Sequence, residues 1–273
     1  MIKKILYTIL PVIIISAFVS CSNYQKIVKS SDVNLKYDMA VKYYNSQDYY
    51  HALQLFEELL TYFRGTAKAE KIQYYYAYSN YGMENYVLAS YYFKNFTSTY
   101  PNSEYAEESS FMAAYCYYLD SPSSSLDPAN TYTAIKELQL FTNTYPKSKR
   151  VAECNELIDK LRSKLERKFF DISMLYYNTS DYRAAIISFN NVLKDFPDTK
   201  YKERILFYTM KANYLFATKS VETKKKERFN STIEAYNVFR TNFKLSEYNK
   251  EAESIYKNSI KELNKYKTKT KNS

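Results

Sequence analysis

The sequence predicts an all-α fold, five helix pairs in series closed by a single C-terminal helix. Glycine is nearly absent, with two in 273 residues where an average globular composition would give about nineteen. Tight β-hairpins draw on Asn-Gly or Asp-Gly, and neither dipeptide occurs. From residue 33 onward apolar residues recur at helical spacing, with no alternating stretch. Gly65 and Gly82 stand 17 residues apart, so neither a Walker A loop nor a dinucleotide fingerprint can be built.

The first element is a leader. Lys3 and Lys4 precede an apolar run, Ile5–Val19, interrupted by Pro11. That run is short for a membrane span and has the size of a signal-peptide core. Phe18-Val19-Ser20-Cys21 resembles the bacterial lipobox, with Phe where Leu is usual. The resemblance implies removal of residues 1–20 and acylation of Cys21, which would tie the chain to a membrane. Several acyl chains anchor stably where one does not. Ser22–Lys26 carries no acidic residue, which by analogy with lipoprotein sorting points to the periplasmic face of the outer membrane. The formal net charge is +10, but in that compartment nucleic acid is not an expected partner. Residues 21–32 read as a tether reaching at most about 40 Å.

The repeat unit comes next. Asp48-Tyr49-Tyr50-His51-Ala52-Leu53-Gln54-Leu55-Phe56 is echoed by Asn85–Phe93 and Asp181–Phe189, each with Tyr, then Ala, then Phe at the same spacing. Pro101, Pro146 and Pro197 follow the anchors Ala89, Ala134 and Ala185 at a constant interval, and Thr232 marks a weaker fifth copy. Twelve residues before three of the anchors lie small residues, Ala40, Ala77 and Ser173. This is the tetratricopeptide-repeat (TPR) pattern, two antiparallel helices meeting at small side chains with Pro ending the second. In copies three and five the interval lengthens, so eight-residue insertions are expected at Ser121–Pro128 and near Lys219–Arg228. Asn45–Asp48, Gly82–Asn85 and Asn178–Asp181 fall at turns within repeats. Ser103, Ser148 and Thr199 stand where N-caps are needed, and a capping helix is expected over Ser246–Tyr266. The array divides into TPR repeats one to three over 33–165 and repeats four and five with the cap over 166–266. A basic tail follows over 267–273.

The inner face of such an array is lined by the fifth, ninth and twelfth positions of each first helix. These are Tyr37, Val41 and Tyr44 in repeat one, and Tyr74, Tyr78 and Tyr81 in repeat two. Repeat three contributes Phe111, Tyr115 and Tyr118. An aromatic trough suits extended peptides, because Tyr joins a rigid apolar face to one hydroxyl. Packing between repeats is the competing use of Tyr, and it accounts for Tyr43, Tyr86 and Tyr182. Lys71 and Arg167 are the only basic groups at second positions.

Catalysis finds no support. The one histidine, His51, cannot serve several nucleophiles, and Glu57-Glu58 or Glu107-Glu108 diverge by about 100° on a helix. Cys116 and Cys154 sit in helical patterns and read as small buried residues, with a bridge as the alternative. No metal or other cofactor is expected.

Together the lipobox, short tether, five repeats and late insertions resemble the BamD family, lipoproteins of the outer-membrane β-barrel assembly machine. Thr99-Tyr-Pro-Asn-Ser-Glu-Tyr-Ala106 and Asp181–Pro197 carry the local likeness, which runs over most of residues 21–266. The resemblance implies that the N-terminal repeats bind nascent outer-membrane β-barrel proteins and that the C-terminal repeats dock on the machine's central barrel subunit. A periplasmic TPR scaffold that coordinates other envelope complexes is the alternative.

Overall fold

The computed structural model describes residues 24–269, all of whose regular elements are helices. The leader over 1–20, Cys21 and the last residues of the basic tail, 270–273, lie outside the described residues. A short helix α1 spans residues 24–28. Five pairs follow: α2 (Val33–Asn45) with α3 (Tyr49–Tyr62), α4 (Ala67–Gly82) with α5 (Tyr86–Thr99), and α6 (Ala106–Leu119) with α7 (Ala129–Thr144). Then come α8 (Val151–Asn178) with α9 (Tyr182–Asp195), α10 (Lys202–Thr218) with α11 (Glu222–Asn242), and the closing helix α12 (Asn249–Lys269). Helix pairs of this order and register, with no strand among the described residues, make a TPR array.

Small side chains sit where the pairs close. Ala40, Ala52, Ala77, Ala89, Ala134, Ser173, Ala185, Ala212 and Thr232 are all fully buried. Nothing larger fits there, and a buried Ser must find a partner: Ser173 Oγ meets Ser188 Oγ at 2.7 Å. Phe56, Phe93 and Phe189, four residues beyond their Ala anchors, fill the adjoining core.

The turns explain how so few glycines suffice. Gln47, Glu84 and Ser180 adopt left-handed φ values of 61°, 59° and 65°. Each ends a first helix in a Schellman arrangement: in repeat one, Gln47 N–H donates to the Tyr44 carbonyl and Asp48 N–H to that of Tyr43. Asp48 and Asp181 then cap the second helices through their carboxylates. Gly65 does supply a positive φ of 79° before Thr66 opens α4. Gly82 is needed for room instead: a Cβ there would lie 2.2 Å from the Tyr49 ring.

The two expected insertions differ. Ser121–Pro128, with two prolines and four serines, is a loop between α6 and α7. The stretch near Lys219–Arg228 is helical from Glu222 and lengthens α11 at its N-terminus. Its Lys and Glu residues are good helix formers and pair along the helix, Lys225 with Glu222 at 2.6 Å.

Backbone contacts divide the described chain into two units, one of residues 24–122 with 127–161, the other of residues 123–126 with 162–269. The division falls within α8, which at 28 residues far exceeds the 13 to 17 of the other first helices. In the first unit Cys154, Leu157, Ile158 and Leu161 of α8 join a core with Phe93, Phe111 and Phe141. In the second, Phe170 of α8 joins Phe189, Val192 and Ile205. There the Lys168 ammonium donates to the Leu126 carbonyl at 2.7 Å, fixing residues 123–126.

The expected tether is folded from residue 24 onward. Tyr24 is buried, its hydroxyl donating to Gln54 Oε1 at 2.7 Å, and Ile27 and Val28 pack beside the core of repeat one. His51 has its role here. Its ring lies 4.1 Å from that of Tyr24 and 5.3 Å from that of Tyr43, and Nδ1 meets Asp48 Oδ2 at 2.7 Å.

Candidate functional site

In the first unit, the aromatic residues of α4 and α6 form a continuous run. Tyr74 and Tyr78 have centroids 4.8 Å apart, Tyr78 and Tyr81 6.2 Å, and Tyr81 and Tyr115 6.5 Å. Tyr115 and Tyr118 stack at 5.8 Å with planes 16° apart. The i, i+3, i+4 spacing puts each set on one helix stripe, and the pairing of repeats sets the stripes side by side. Tyr44 joins through Tyr75, at 4.5 Å, and Tyr75 touches Tyr74. Tyr37 stands apart against Phe63, with the Lys68 ammonium 5.0 Å from its ring.

These rings are not equally available. Phe111 is buried, and the Arg150 guanidinium lies over it at 4.1 Å. The structure therefore places Phe111 in the core, where a ligand would have to displace Arg150 to reach it. One face of Tyr74 is covered by Tyr105 at 4.4 Å. Tyr78 donates to Glu108 Oε1 at 2.9 Å, and Glu108 in turn accepts from Arg150 Nε and Nη2 at 2.9 and 2.8 Å. Tyr37, Tyr44, Tyr81, Tyr115 and Tyr118 are half-buried, so each keeps an accessible part.

Burial raises the phenols of Tyr37, Tyr44, Tyr74, Tyr78 and Tyr81 above their ordinary value, because a phenolate loses more hydration there than a phenol. All five are neutral donors near pH 7. Such a surface can stack apolar and aromatic side chains and offer hydroxyls to a backbone. Of the basic candidates, Lys71 stands 5.7 Å from the Tyr75 ring at its rim. Arg167 forms an exposed pair with Asp171 at 3.5 Å, worth little to a site.

The residues that shape this surface without having been singled out are Tyr75, Tyr105, Glu108 and Arg150. A local signal exists for two of them: Ser103-Glu-Tyr105, Ser148-Lys-Arg150 and Thr199-Lys-Tyr201 share a spacing. In each, the hydroxyl accepts from the N–H two residues on and donates to a carboxylate of the preceding first helix, Glu70, Glu107 or Glu166. The third residue then covers an aromatic ring of that helix, Tyr74, Phe111 or, for Tyr201, Phe170 at 4.4 Å. The expectation that these hydroxyls cap the next helix does not hold: Tyr105 and Tyr201 stand at the N-cap positions of α6 and α10, with no side-chain cap bond, because the hydroxyls are spent two residues earlier on clasping one repeat to the one before.

Cys116 and Cys154 are buried free thiols. Among the described residues no cluster of metal-binding side chains occurs and no helix is long and apolar enough to cross a membrane.

Residues 29–229 match the YfiO family, described as an outer membrane lipoprotein. A candidate outer-membrane protein assembly factor BamD of Aquifex aeolicus (strain VF5) is 25% identical over 200 residues, 72% of this chain. The match spans 65% of that relative's length. Among solved structures, the TPR domain of P58(IPK) is similar at 12% identity and a TM-score of 0.41, over 89% of this chain and 68% of that one. The TPR2AB domain of yeast Sti1, in complex with pHSP90, has the same identity and TM-score, over 84% and 99%. Superpositions at that level carry no functional argument, and the repeat assignment stands on the helix order and the buried small residues. With its match covering most of the array, the chain belongs to the YfiO family of outer membrane lipoproteins.

Proposed function

We propose that this lipoprotein is a subunit of the outer-membrane β-barrel assembly machine, anchored through Cys21 on the periplasmic face. Its N-terminal repeats, 33–165, hold extended segments of nascent barrel proteins, and the half over 166–266 docks on the central barrel subunit. The run of half-buried tyrosines from Tyr74 to Tyr118 is the observation that carries the reading. Membrane β-strands alternate apolar and polar residues and end in aromatic girdles. An extended segment of that kind offers rings to stack and backbone groups to meet the phenols. The test is affinity capture of the acylated protein in mild detergent. Recovery of a large outer-membrane barrel with periplasmic domains is expected, and its absence would sink the reading.

A further inference from the structure

Away from the tyrosine run, a cavity of about 180 Å³ opens where α3, α4 and α5 meet, lined by Leu60, Arg64, Gln73, Tyr76, Tyr92 and Asn95. Its origin is legible in the repeat pattern, which places Trp four residues before the small residue of the first helix. In repeat two that position is Gln73, counted from Ala77. The shorter side chain leaves space that Trp would fill. In repeat one the equivalent residue is Lys36, which occupies its site by pairing with Glu58 at 2.6 Å. Repeat two has no such internal partner. Among the described residues, no hydrogen bond or ion pair engages the Arg64 guanidinium or the side-chain amides of Gln73 and Asn95.

The donors that remain define the ligand. One guanidinium and two carboxamides present planar N–H groups and one positive charge, which matches a planar monoanion. Tyr76 and Tyr92, packed edge to face at 4.6 Å, make the apolar wall. Glu57, whose charge reaches Tyr76, is exposed and outside the lining. Gln73 and Tyr76 project from α4 roughly 140° away from the Tyr74–Tyr78–Tyr81 stripe, taking about 100° per residue. A segment lying on the tyrosines would therefore leave this cavity free.

We propose that the cavity is a second recognition site, which takes a carboxylate presented by a partner polypeptide. A chain terminus or a single acidic side chain fits the space, and a helix does not. The site works independently of the tyrosine surface, so one polypeptide on each face can be held at once.

The test uses the acylated protein in detergent micelles and ligand-observed NMR with three probes. N-acetylphenylalanine carries a terminal carboxylate, N-acetylglutamic acid α-amide a side-chain carboxylate, and inorganic phosphate is the third. Saturable binding of one carboxylate probe is expected, and the stronger of the two names the source. Arg64→Gln should weaken it at least tenfold. Gln73→Trp, which restores the bulky residue, should abolish it without lowering the melting temperature. If Gln73→Trp fails to fold, the exposed Arg64→Gln variant still decides. No saturable binding of either carboxylate, tighter binding of phosphate than of both, or unchanged affinity in Arg64→Gln would overturn the proposal.

Discussion

Three residues hold a backbone conformation that costs an L-amino acid about 1 kcal/mol or more. Gln47, Glu84 and Ser180 keep it because each lets the first helix of its repeat end in two satisfied backbone bonds. Glycine would hold the same φ without strain. Gln47 is exposed, so Gln47→Gly should stabilise the protein by about 0.5–1 kcal/mol, a rise of roughly 1–4 °C in Tm for a chain of this size. A melting temperature that falls would show that the Gln47 side chain itself holds the turn. The buried thiols make a pH prediction at the same scale. Burial pushes Cys116 up to about 12 and Cys154 up to about 11, against 9.0 in the unfolded chain. A raised acid keeps its proton in the folded state while the unfolded state loses it, so the stabilisation is full below about pH 9 and erodes above it. Each thiol should contribute a decline of up to about 1.4 kcal/mol per pH unit there. Replacing both with Ala should flatten the slope between pH 9 and 11 in denaturant titrations, and an unchanged slope would assign the decline to the raised tyrosines.

From repeat two to repeat five each junction carries a clasp, and the clasp can be tested one atom at a time. Ser148 Oγ donates to Glu107 Oε1 at 2.6 Å across 41 residues of sequence. Ser148→Ala removes the hydroxyl that this carboxylate and the Arg150 N–H both use. A loss of about 1–2 kcal/mol is expected by denaturant titration, with Glu107→Ala adding little to it because both variants break the Ser148–Glu107 bond. Additive losses would separate the two. Helix α1 poses a different question. Tyr24→Ala should strip residues 24–28 from repeat one, since Tyr24 supplies the bond to Gln54 and the ring against His51. Tryptic cleavage after Lys26 and Lys29 should then accelerate at least tenfold while the remaining repeats stay resistant. Much at this scale was legible in advance: the positions of Ala40, Ala77 and Ala185 located the helix pairs because only small residues fit the crossings. Helix α1 was not, because five residues show no period and their burial depends on His51, Tyr43 and Gln54 brought in by folding. The helical state of Glu222–Arg228 was hidden for a related reason, since a charged run between helices reads as a loop until its internal ion pairs are placed. Within the tyrosine run, spacing located the stripes but could not tell which rings Arg150 and Tyr105 would cover.

For the whole molecule, the docking of α1 changes what the membrane anchor can do. A free tether of twelve residues would let the array range about 40 Å from the acyl chains, whereas the three residues from Cys21 to Tyr24 span only roughly 10 Å. If Cys21 is acylated as proposed, repeat one is held near the bilayer surface. Short attachment of this kind would raise the effective concentration of the proposed peptide-binding surface at the membrane. Lengthening the attachment should therefore weaken function without touching any contact in the fold. Ten Gly and Ser residues inserted between Asn23 and Tyr24 should leave membrane pelleting and Tm unchanged and lower the amount of folded barrel protein in the outer membrane. The double variant Tyr81→Ala with Tyr115→Ala should lower it as well, but by weakening peptide binding in solution, about tenfold for two stacking rings. The two variants separate location from recognition. Normal barrel levels with the insertion would mean that distance from the bilayer does not limit assembly, and unchanged peptide affinity in the double variant would return those tyrosines to packing alone.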